Sequence, residues 1–218
     1  MPTPRPTVES HGRVYPDERT ARLSDGPSAS TCVFPTDTQA DALAALLLDR
    51  RLRAVSIGAG DGYLEAQLEQ RGVDVTAVDL DAFADPSHYA TRTRRFCSAI
   101  VRIRPDALYA LPRPEHADGA TAAGGDTALL FIWGRTTPWR AYLERYSAVP
   151  LVVVAGDEPS AGDGGSCVEP SLDALDGELG WRLLQRTPVR AIHPRAALAV
   201  YERVPDAASS ARSSTQLH

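Results

Sequence analysis

One segment, Val55 to Asp81, constrains the fold of this chain more than any other: VSIGAGDGYLEAQLEQRGVDVTAVDLD. A short apolar run at each end suits a buried strand. Between the runs, three glycines form a tight turn, and Leu64 and Leu68 have the four-residue spacing of one helix face. Gly72 is typical of the end of such a helix. The segment therefore predicts a strand, a glycine turn, a helix and a second strand.

Two further apolar runs predict central strands of the same sheet. They are ALLFIW at 128–133 and LVVVA at 151–155, and continuous runs of this kind suit parallel strands that are covered on both faces. PWRAYLERY lies between them and predicts the crossover helix, with Pro138 in its first turn. Strands that alternate with helices predict an α/β protein with a parallel sheet.

The flanking segments complete this pattern. Thr36 and Gln39 have the spacing of a capping box, which predicts a helix start before the first strand. SLDALDGELG predicts a short helix after the strand at 151–155. WRLLQRTPV and AALAVYERV predict a closing antiparallel hairpin through the turn AIHPR.

The 218 residues suit one domain with two polar ends. Residues 1–30 predict a loosely ordered arm, 31–205 the folded domain, and 206–218 a disordered tail, because both ends lack a periodic apolar face. No apolar run is long enough to span a membrane, and the polar start has no signal-peptide centre. Three scattered cysteines indicate a reducing compartment, cytosol or nucleus.

Composition excludes several kinds of chemistry. The chain contains no lysine, so it has neither a Walker-type phosphate lysine nor a lysine that could form a Schiff base. The histidines and cysteines lack metal-binding spacings, and we expect no metal. No Gly-x-Ser-x-Gly elbow is present, which disfavours a hydrolase. The net charge of -5 makes nucleic acid an unlikely partner, because such binders are usually basic.

The glycine turn is the candidate ligand site, since ligands of parallel α/β sheets bind beyond the carboxyl ends of the strands. Gly58 can permit the tight turn, Gly60 the close approach of a ligand, and Gly62 packing at the helix start. Asp79 follows 21 residues after Gly58, where an acid can accept both ribose hydroxyls. The alternatives are a turn that binds nothing and an Asp79 that only caps the next segment.

The GxGxG turn with Asp79, the two apolar strands and the final hairpin resemble the class I S-adenosylmethionine-dependent methyltransferases. The resemblance covers roughly residues 31–204 and implies a Rossmann-like, mostly parallel seven-stranded sheet with helices on both faces and a C-terminal antiparallel hairpin. It implies S-adenosylmethionine as cofactor, with its methionine part over Gly58 to Gly62 and its ribose on Asp79. The adenine would lie near residues 104–106, with Asp106 as the candidate acid.

The chain departs from that family at two places. Ser56 stands where the family usually has an acid that helps to hold the cofactor's amino group. The acid-Pro-Pro-aromatic motif of many amino methyltransferases is absent after the fourth strand, where Trp133 to Trp139 reads WGRTTPW. Amino-group methylation of nucleic-acid bases is thereby disfavoured, and a small-molecule or protein acceptor is expected.

Three residues are candidates for acceptor binding, and none is assigned to catalysis. Trp133 and Trp139 flank the expected acceptor mouth, although core packing is an equal alternative for both. Glu158 lies in the glycine-rich loop after the fifth strand and is otherwise a plain loop residue.

Three functions remain open from the sequence. The first is an active methyltransferase, and the second is an inactive S-adenosylmethionine-binding or scaffold protein, which Ser56 and the missing motif favour. The third is a nicotinamide-dependent oxidoreductase. That function is disfavoured because Tyr63 occupies the place of the third fingerprint glycine, and because the hairpin is absent from dinucleotide folds.

Overall fold

The structure is a computed structural model of the chain. It describes residues 7–9, 19–20, 22–26, 32–80, 94–104, 107–111, 123–133, 137–157, 169–178, 180–191 and 195–204. The candidate residues Asp106 and Glu158, and the tail at 206–218, lie outside these ranges.

A seven-stranded sheet forms the centre of the molecule. In chain order its strands are β4 (Arg53–Ile57), β5 (Val75–Leu80), β7 (Ile100–Ile103), β9 (Thr127–Ile132), β10 (Leu151–Asp157), β11 (Trp181–Pro188) and β13 (Ala196–Arg203). Their order across the sheet is β11-β13-β10-β9-β4-β5-β7. Pairing is parallel from β10 to β7, whereas β13 runs antiparallel to both β10 and β11. The predicted sheet and its closing hairpin are confirmed.

Among the described residues, three α-helices flank the sheet: α1 (Asp37–Asp49), α2 (Tyr63–Gln70) and α3 (Trp139–Arg145). Thr36 and Gln39 form the predicted capping box at the start of α1. None of these helices is long and apolar enough to cross a membrane.

The two faces of the sheet carry separate apolar cores. Leu130 of β9 packs in the cluster that includes residues of α1 and α2, whereas its neighbour Phe131 packs in the cluster that includes Tyr142 of α3. This alternation explains why the strand sequence is apolar throughout, since a strand in the middle of the sheet is buried on both faces. Helices on both faces are thus confirmed as well.

The helix predicted for SLDALDGELG is wrong, because residues 172–177 form turns. The carbonyl oxygen of Leu172, which a helix would bond to the fourth following amide, accepts hydrogen bonds from the Tyr201 hydroxyl and from Arg186 instead. The amide of Asp176 donates to the carbonyl oxygen of Asp173, which is the spacing of a turn. Side chains of the closing hairpin therefore replace the helical hydrogen bonding here.

Short strands pair outside the main sheet. β1 (Thr7–Glu9) runs parallel to β8 (Ala107–Tyr109), and β2 (Arg19–Thr20) runs parallel to β6 (Arg94–Arg95). β3 (Val33–Phe34) pairs with β12 (Arg190–Ala191). Five residues of the predicted N-terminal arm are thus paired with segments that follow β5 and β7, and a domain boundary near residue 30 remains a proposal.

Candidate functional site

The glycine turn lies at the point where the strand order of the sheet reverses. β4 leads into Gly58 to Gly62, and its neighbours in the sheet are β5 on one side and β9 on the other. Connections that leave a strand in opposite directions open a crevice beyond its carboxyl end, which is where ligands of such sheets bind. The turn therefore occupies the ligand-binding edge of this fold.

Gly60 and Gly62 have different surroundings within the turn. Both have left-handed backbones, with φ of +62° and +74°, a region that side chains other than glycine's rarely adopt. A Cβ atom added to Gly60 would meet no atom within 4 Å, so the backbone there faces open space. A Cβ atom on Gly62 would collide with the sulfur of Cys97. Gly60 thus leaves room above the turn, whereas Gly62 permits close packing beneath it.

A buried pair of polar side chains joins the two ends of the turn. The Ser56 hydroxyl, on β4, donates a hydrogen bond of 2.5 Å to Oε1 of Glu65 in the first turn of α2. Ser56 is 0% exposed and Glu65 is 1% exposed. Burial raises the pKa of Glu65, the Ser56 hydrogen bond lowers it, and the charges of Asp61 and Asp79 raise it. The resulting pKa is about 7.

Sequence reasoning missed Glu65, although a signal was present. An acid in the first turn of a helix commonly faces solvent, where it interacts favourably with the helix dipole. Here, however, the whole run from Leu64 to Leu68 is buried. The useful signal was an acid in the first turn of a short helix whose preceding strand carries a serine among apolar residues.

Asp79 lies at the carboxyl end of β5, beside β4, as predicted. Its Oδ2 pairs with Arg102 Nη1 of β7 at 3.1 Å, and the two residues are direct register partners in the sheet. The exposed fractions of the two side chains are 18% and 8%. Asp79 thus lies at the ligand-binding edge and is ion-paired with Arg102. Its contact with a ribose remains a prediction.

The segment after β6 covers one side of the turn. The amide of Phe96 donates to the carbonyl oxygen of Asp61 at 2.8 Å, and the Phe96 ring meets Tyr63 edge to face at 5.0 Å. Cys97 is buried behind Gly62, and burial raises the pKa of its thiol. These contacts fix the turn and leave the Cys97 thiol uncharged.

The two tryptophan candidates are both buried, in different cores. Trp133, directly after β9, has a φ of 54° and packs in the α1–α2 core, whereas Trp139 packs in the α3 core. Arg140 lies over the Trp139 ring at 4.2 Å. The structure therefore does not bring the two indole rings together, and substrate contact of either remains a prediction.

A surface groove of about 600 Å³ lies beside the start of α3. Its lining includes Thr137, Trp139 and Arg140 from the segment after β9, and Glu169 and Ser171 from the segment after β10. The two segments follow β9 and β10 in the chain, and the groove is a candidate acceptor site. Within the described ranges, no group of three or more histidine, cysteine or acidic side chains could hold a metal ion.

Comparison with known proteins gives one partial sequence match. No family model matches the chain. A stretch of 78 residues is 41% identical to the ribosomal RNA small subunit methyltransferase C of Chromohalobacter salexigens. It covers 36% of this chain and 20% of that enzyme, so the chain matches about a fifth of the length of this relative.

Several solved structures are similar at low sequence identity. The 1,6-didemethyltoxoflavin-N1-methyltransferase of Burkholderia thailandensis, with 1,6-didemethyltoxoflavin and S-adenosylhomocysteine bound, is 20% identical; the similarity covers 78% of each chain with a TM-score of 0.45. Magnesium protoporphyrin IX methyltransferase from Synechocystis PCC 6803, with S-adenosylmethionine bound, is 11% identical over 77% of this chain and 79% of that one, also with a TM-score of 0.45. By its glycine turn, sheet and hairpin, the chain resembles the class I S-adenosylmethionine-dependent methyltransferases.

Proposed function

We propose that this protein binds S-adenosylmethionine against the Gly58 to Gly62 turn and transfers its methyl group to an acceptor. The observation that carries the proposal is the open backbone at Gly60 with a carboxylate, Asp79, at the end of the adjacent strand. Open backbone admits the methionine part of the cofactor, and a carboxylate can accept two ribose hydroxyls. Similar structures that hold S-adenosylhomocysteine or S-adenosylmethionine support the choice of ligand.

The protein's contribution to the reaction is binding and orientation. When bound, the cofactor supplies a methyl group made electrophilic by its sulfonium. The chain must hold the acceptor in line with that methyl group and exclude water, and such positioning can contribute about 7 to 11 kcal/mol to lowering a barrier. A general base is not required, which agrees with a site in which Ser56, Glu65 and Asp79 hold ligand and turn rather than an acceptor.

The acceptor class we propose is a small molecule or a protein side chain. The groove beside the start of α3 is lined by segments that follow β9 and β10, and its volume of about 600 Å³ falls within the range of small-molecule sites. The similarity to an enzyme named as a ribosomal RNA methyltransferase makes RNA a necessary comparison in any activity assay. The net charge of -5 disfavours RNA, since binding to phosphates usually needs a basic surface.

The second candidate function is an S-adenosylmethionine-binding protein without activity. Ser56 in place of the family's acid, and the missing motif after β9, favour it. Transfer of labelled methyl groups into small molecules, protein or RNA of a cell extract would distinguish the two functions. Binding without transfer into any fraction would favour the inactive protein.

S-Adenosylhomocysteine is expected to stabilise the purified protein. At a concentration of 100 times its Kd, a ligand selective for the folded state adds about 2.7 kcal/mol, which corresponds to a rise in Tm of roughly 5 to 10 °C for a chain of this size. Thermal melts with S-adenosylhomocysteine and with NAD, at equal concentrations, make the measurement. Stabilisation by NAD alone would contradict the proposed function and support an oxidoreductase.

Asp79→Ala is expected to weaken S-adenosylhomocysteine binding by about 1.5 to 3 kcal/mol, the scale of a hydrogen bond to a charged group. The same substitution should weaken the binding of adenine, which lacks the ribose, much less. The control is Arg102→Met, which breaks the same ion pair but keeps the carboxylate. Calorimetric titration of both variants should show weakened binding only in Asp79→Ala; equal weakening in Arg102→Met would mean that the ion pair acts through the fold.

A further inference from the structure

Glu65 is a buried acid whose hydrogen-bond partner, the Ser56 hydroxyl, is uncharged. Ser56 is the only side chain of the described ranges that hydrogen-bonds Glu65, and no arginine within those ranges forms an ion pair with it. A carboxylate taken out of water with only a neutral partner is strongly disfavoured in its charged form. Glu65 therefore keeps its proton far above the usual range of glutamate, with a pKa of about 7.

The charges that act on the Glu65 carboxyl group are those of Asp61 in the turn and Asp79 of β5. Asp79 is itself ion-paired with Arg102 of β7 at 3.1 Å. Cys97, which packs from the segment after β6, is neutral because burial raises its pKa, and the charges that act on that thiol are Glu65, Glu69 and, with opposite sign, Arg95. A cation brought to this turn would interact favourably with Asp61, Asp79 and ionised Glu65 together.

The position of the pair ties it to the turn. Ser56 lies two residues before Gly58, and Glu65 lies three residues after Gly62, so their hydrogen bond closes the chain around the glycine turn. Any ligand that lies on Gly60 thus lies on a loop that the pair holds closed. The Glu65 carboxyl group therefore lies at the base of the candidate site.

We propose that Glu65, held by Ser56, is a positioning residue that supplies negative charge beneath the turn, and that binding of an S-adenosyl ligand through its ammonium group releases the Glu65 proton. This inference rests on the proposed function. The proton leaves the Glu65 carboxyl group for solvent, the carboxylate stays hydrogen-bonded to the Ser56 hydroxyl, and the α-ammonium group of the ligand replaces the lost proton as the balancing charge. Affinity then depends on pH near neutrality.

The test is calorimetric titration of the full chain with S-adenosylhomocysteine from pH 5.5 to 8.5. Because the binding-competent fraction with ionised Glu65 rises with pH, the wild-type Kd should tighten about tenfold between pH 6 and 8. Repeating the titration at pH 6 in buffers of different ionisation enthalpy should show release of close to one proton. Methylthioadenosine, which lacks the amino-acid end, should bind with little pH dependence.

Two variants separate Glu65 from the other ionisable groups of the chain, which include five histidines. Glu65→Gln keeps an acceptor for Ser56 and should bind S-adenosylhomocysteine with little or no tightening over the same pH range. Ser56→Ala removes the hydrogen bond that lowers the pKa of Glu65, so it should move the midpoint of the pH dependence upward. The Ser56→Ala result also decides the matter if Glu65→Gln does not fold.

The possible outcomes are distinct. An unchanged pH dependence in Glu65→Gln, an unchanged midpoint in Ser56→Ala, or an equal pH dependence for methylthioadenosine would overturn the role of Glu65 and leave the proposed function standing. Absence of S-adenosylhomocysteine binding by the wild-type protein at every pH would overturn the proposed function, and the inference with it.

Discussion

Gly60→Val is expected to abolish binding of S-adenosyl ligands while most of the folded stability is kept. A Cβ atom at Gly60 meets no atom of the described residues within 4 Å, so a valine side chain extends into the space proposed for the ligand. The left-handed backbone costs a side chain about 1 to 2 kcal/mol, which should be the main loss of stability. We expect Kd to rise at least a hundredfold, about 2.7 kcal/mol, in a calorimetric titration.

Gly72→Val is the matched control. Gly72 also has a left-handed backbone, with a φ of +85°, and open space at its Cβ position, but it lies after α2 and away from the turn. It should lose a similar amount of stability in thermal melts and keep wild-type affinity. If Gly60→Val bound the ligand with wild-type affinity, the glycine turn would not be a ligand site. If both variants lost affinity equally, backbone strain would be the cause.

Substitution of Gly62 is expected to affect stability more than substitution of Gly60 does. A side chain there collides with Cys97, so Gly62→Ala should lower stability more than Gly60→Ala does. The sequence pattern already gave the two glycines different expected roles, with Gly60 facing a ligand and Gly62 packing at the helix start. It could not identify Cys97, from the segment after β6, as the residue against which Gly62 packs.

The sheet was predictable because its strands are buried on both faces. Runs such as ALLFIW stay apolar at every position since Leu130 packs on one side of the sheet and Phe131 on the other. The closing hairpin was predictable for a related reason, because two strand-like runs of similar length are separated by a short turn containing proline. Local pattern and tertiary burial agree in these strands.

The failures arise where a distant residue decides the local structure. The segment 171–180 has helical spacing, yet the carbonyl oxygen of Leu172 bonds to Tyr201, which lies 29 residues later in the chain. The pairing of Asp79 with Arg102 depends in the same way on the register of β5 against β7, which no local pattern sets. Glu65 belongs with these cases, since its burial depends on how α2 packs against β4.

Glu65 also makes the stability of the ligand-free protein depend on pH. Its pKa is about 7 in the folded protein and near 4.5 in the unfolded chain, so between these pH values the folded state holds a proton that the unfolded state has lost. Unfolding then releases a proton, and the free energy of unfolding falls as pH rises from about 4.5 to about 7 and levels off above. A difference of this size corresponds to about 3 kcal/mol.

Glu65→Gln is expected to remove that dependence. Glutamine does not ionise, so the variant lacks the pH dependence that Glu65 gives the wild type. The unfolding free energy of the variant minus that of wild type should therefore increase by about 3 kcal/mol between pH 4.5 and pH 8. Any loss of stability caused by the amide itself is the same at every pH and does not affect this increase. Urea unfolding of both proteins across this range makes the measurement, and subtracting the curves cancels the histidines. The control is Glu202→Gln: Arg182 lowers the pKa of Glu202, so its contribution is lost only below about pH 4.5 and the difference from wild type should be flat above it. A flat difference for Glu65→Gln as well would show that Glu65 is ionised in the folded protein throughout, and that a neutral hydroxyl suffices to hold a buried carboxylate at this turn.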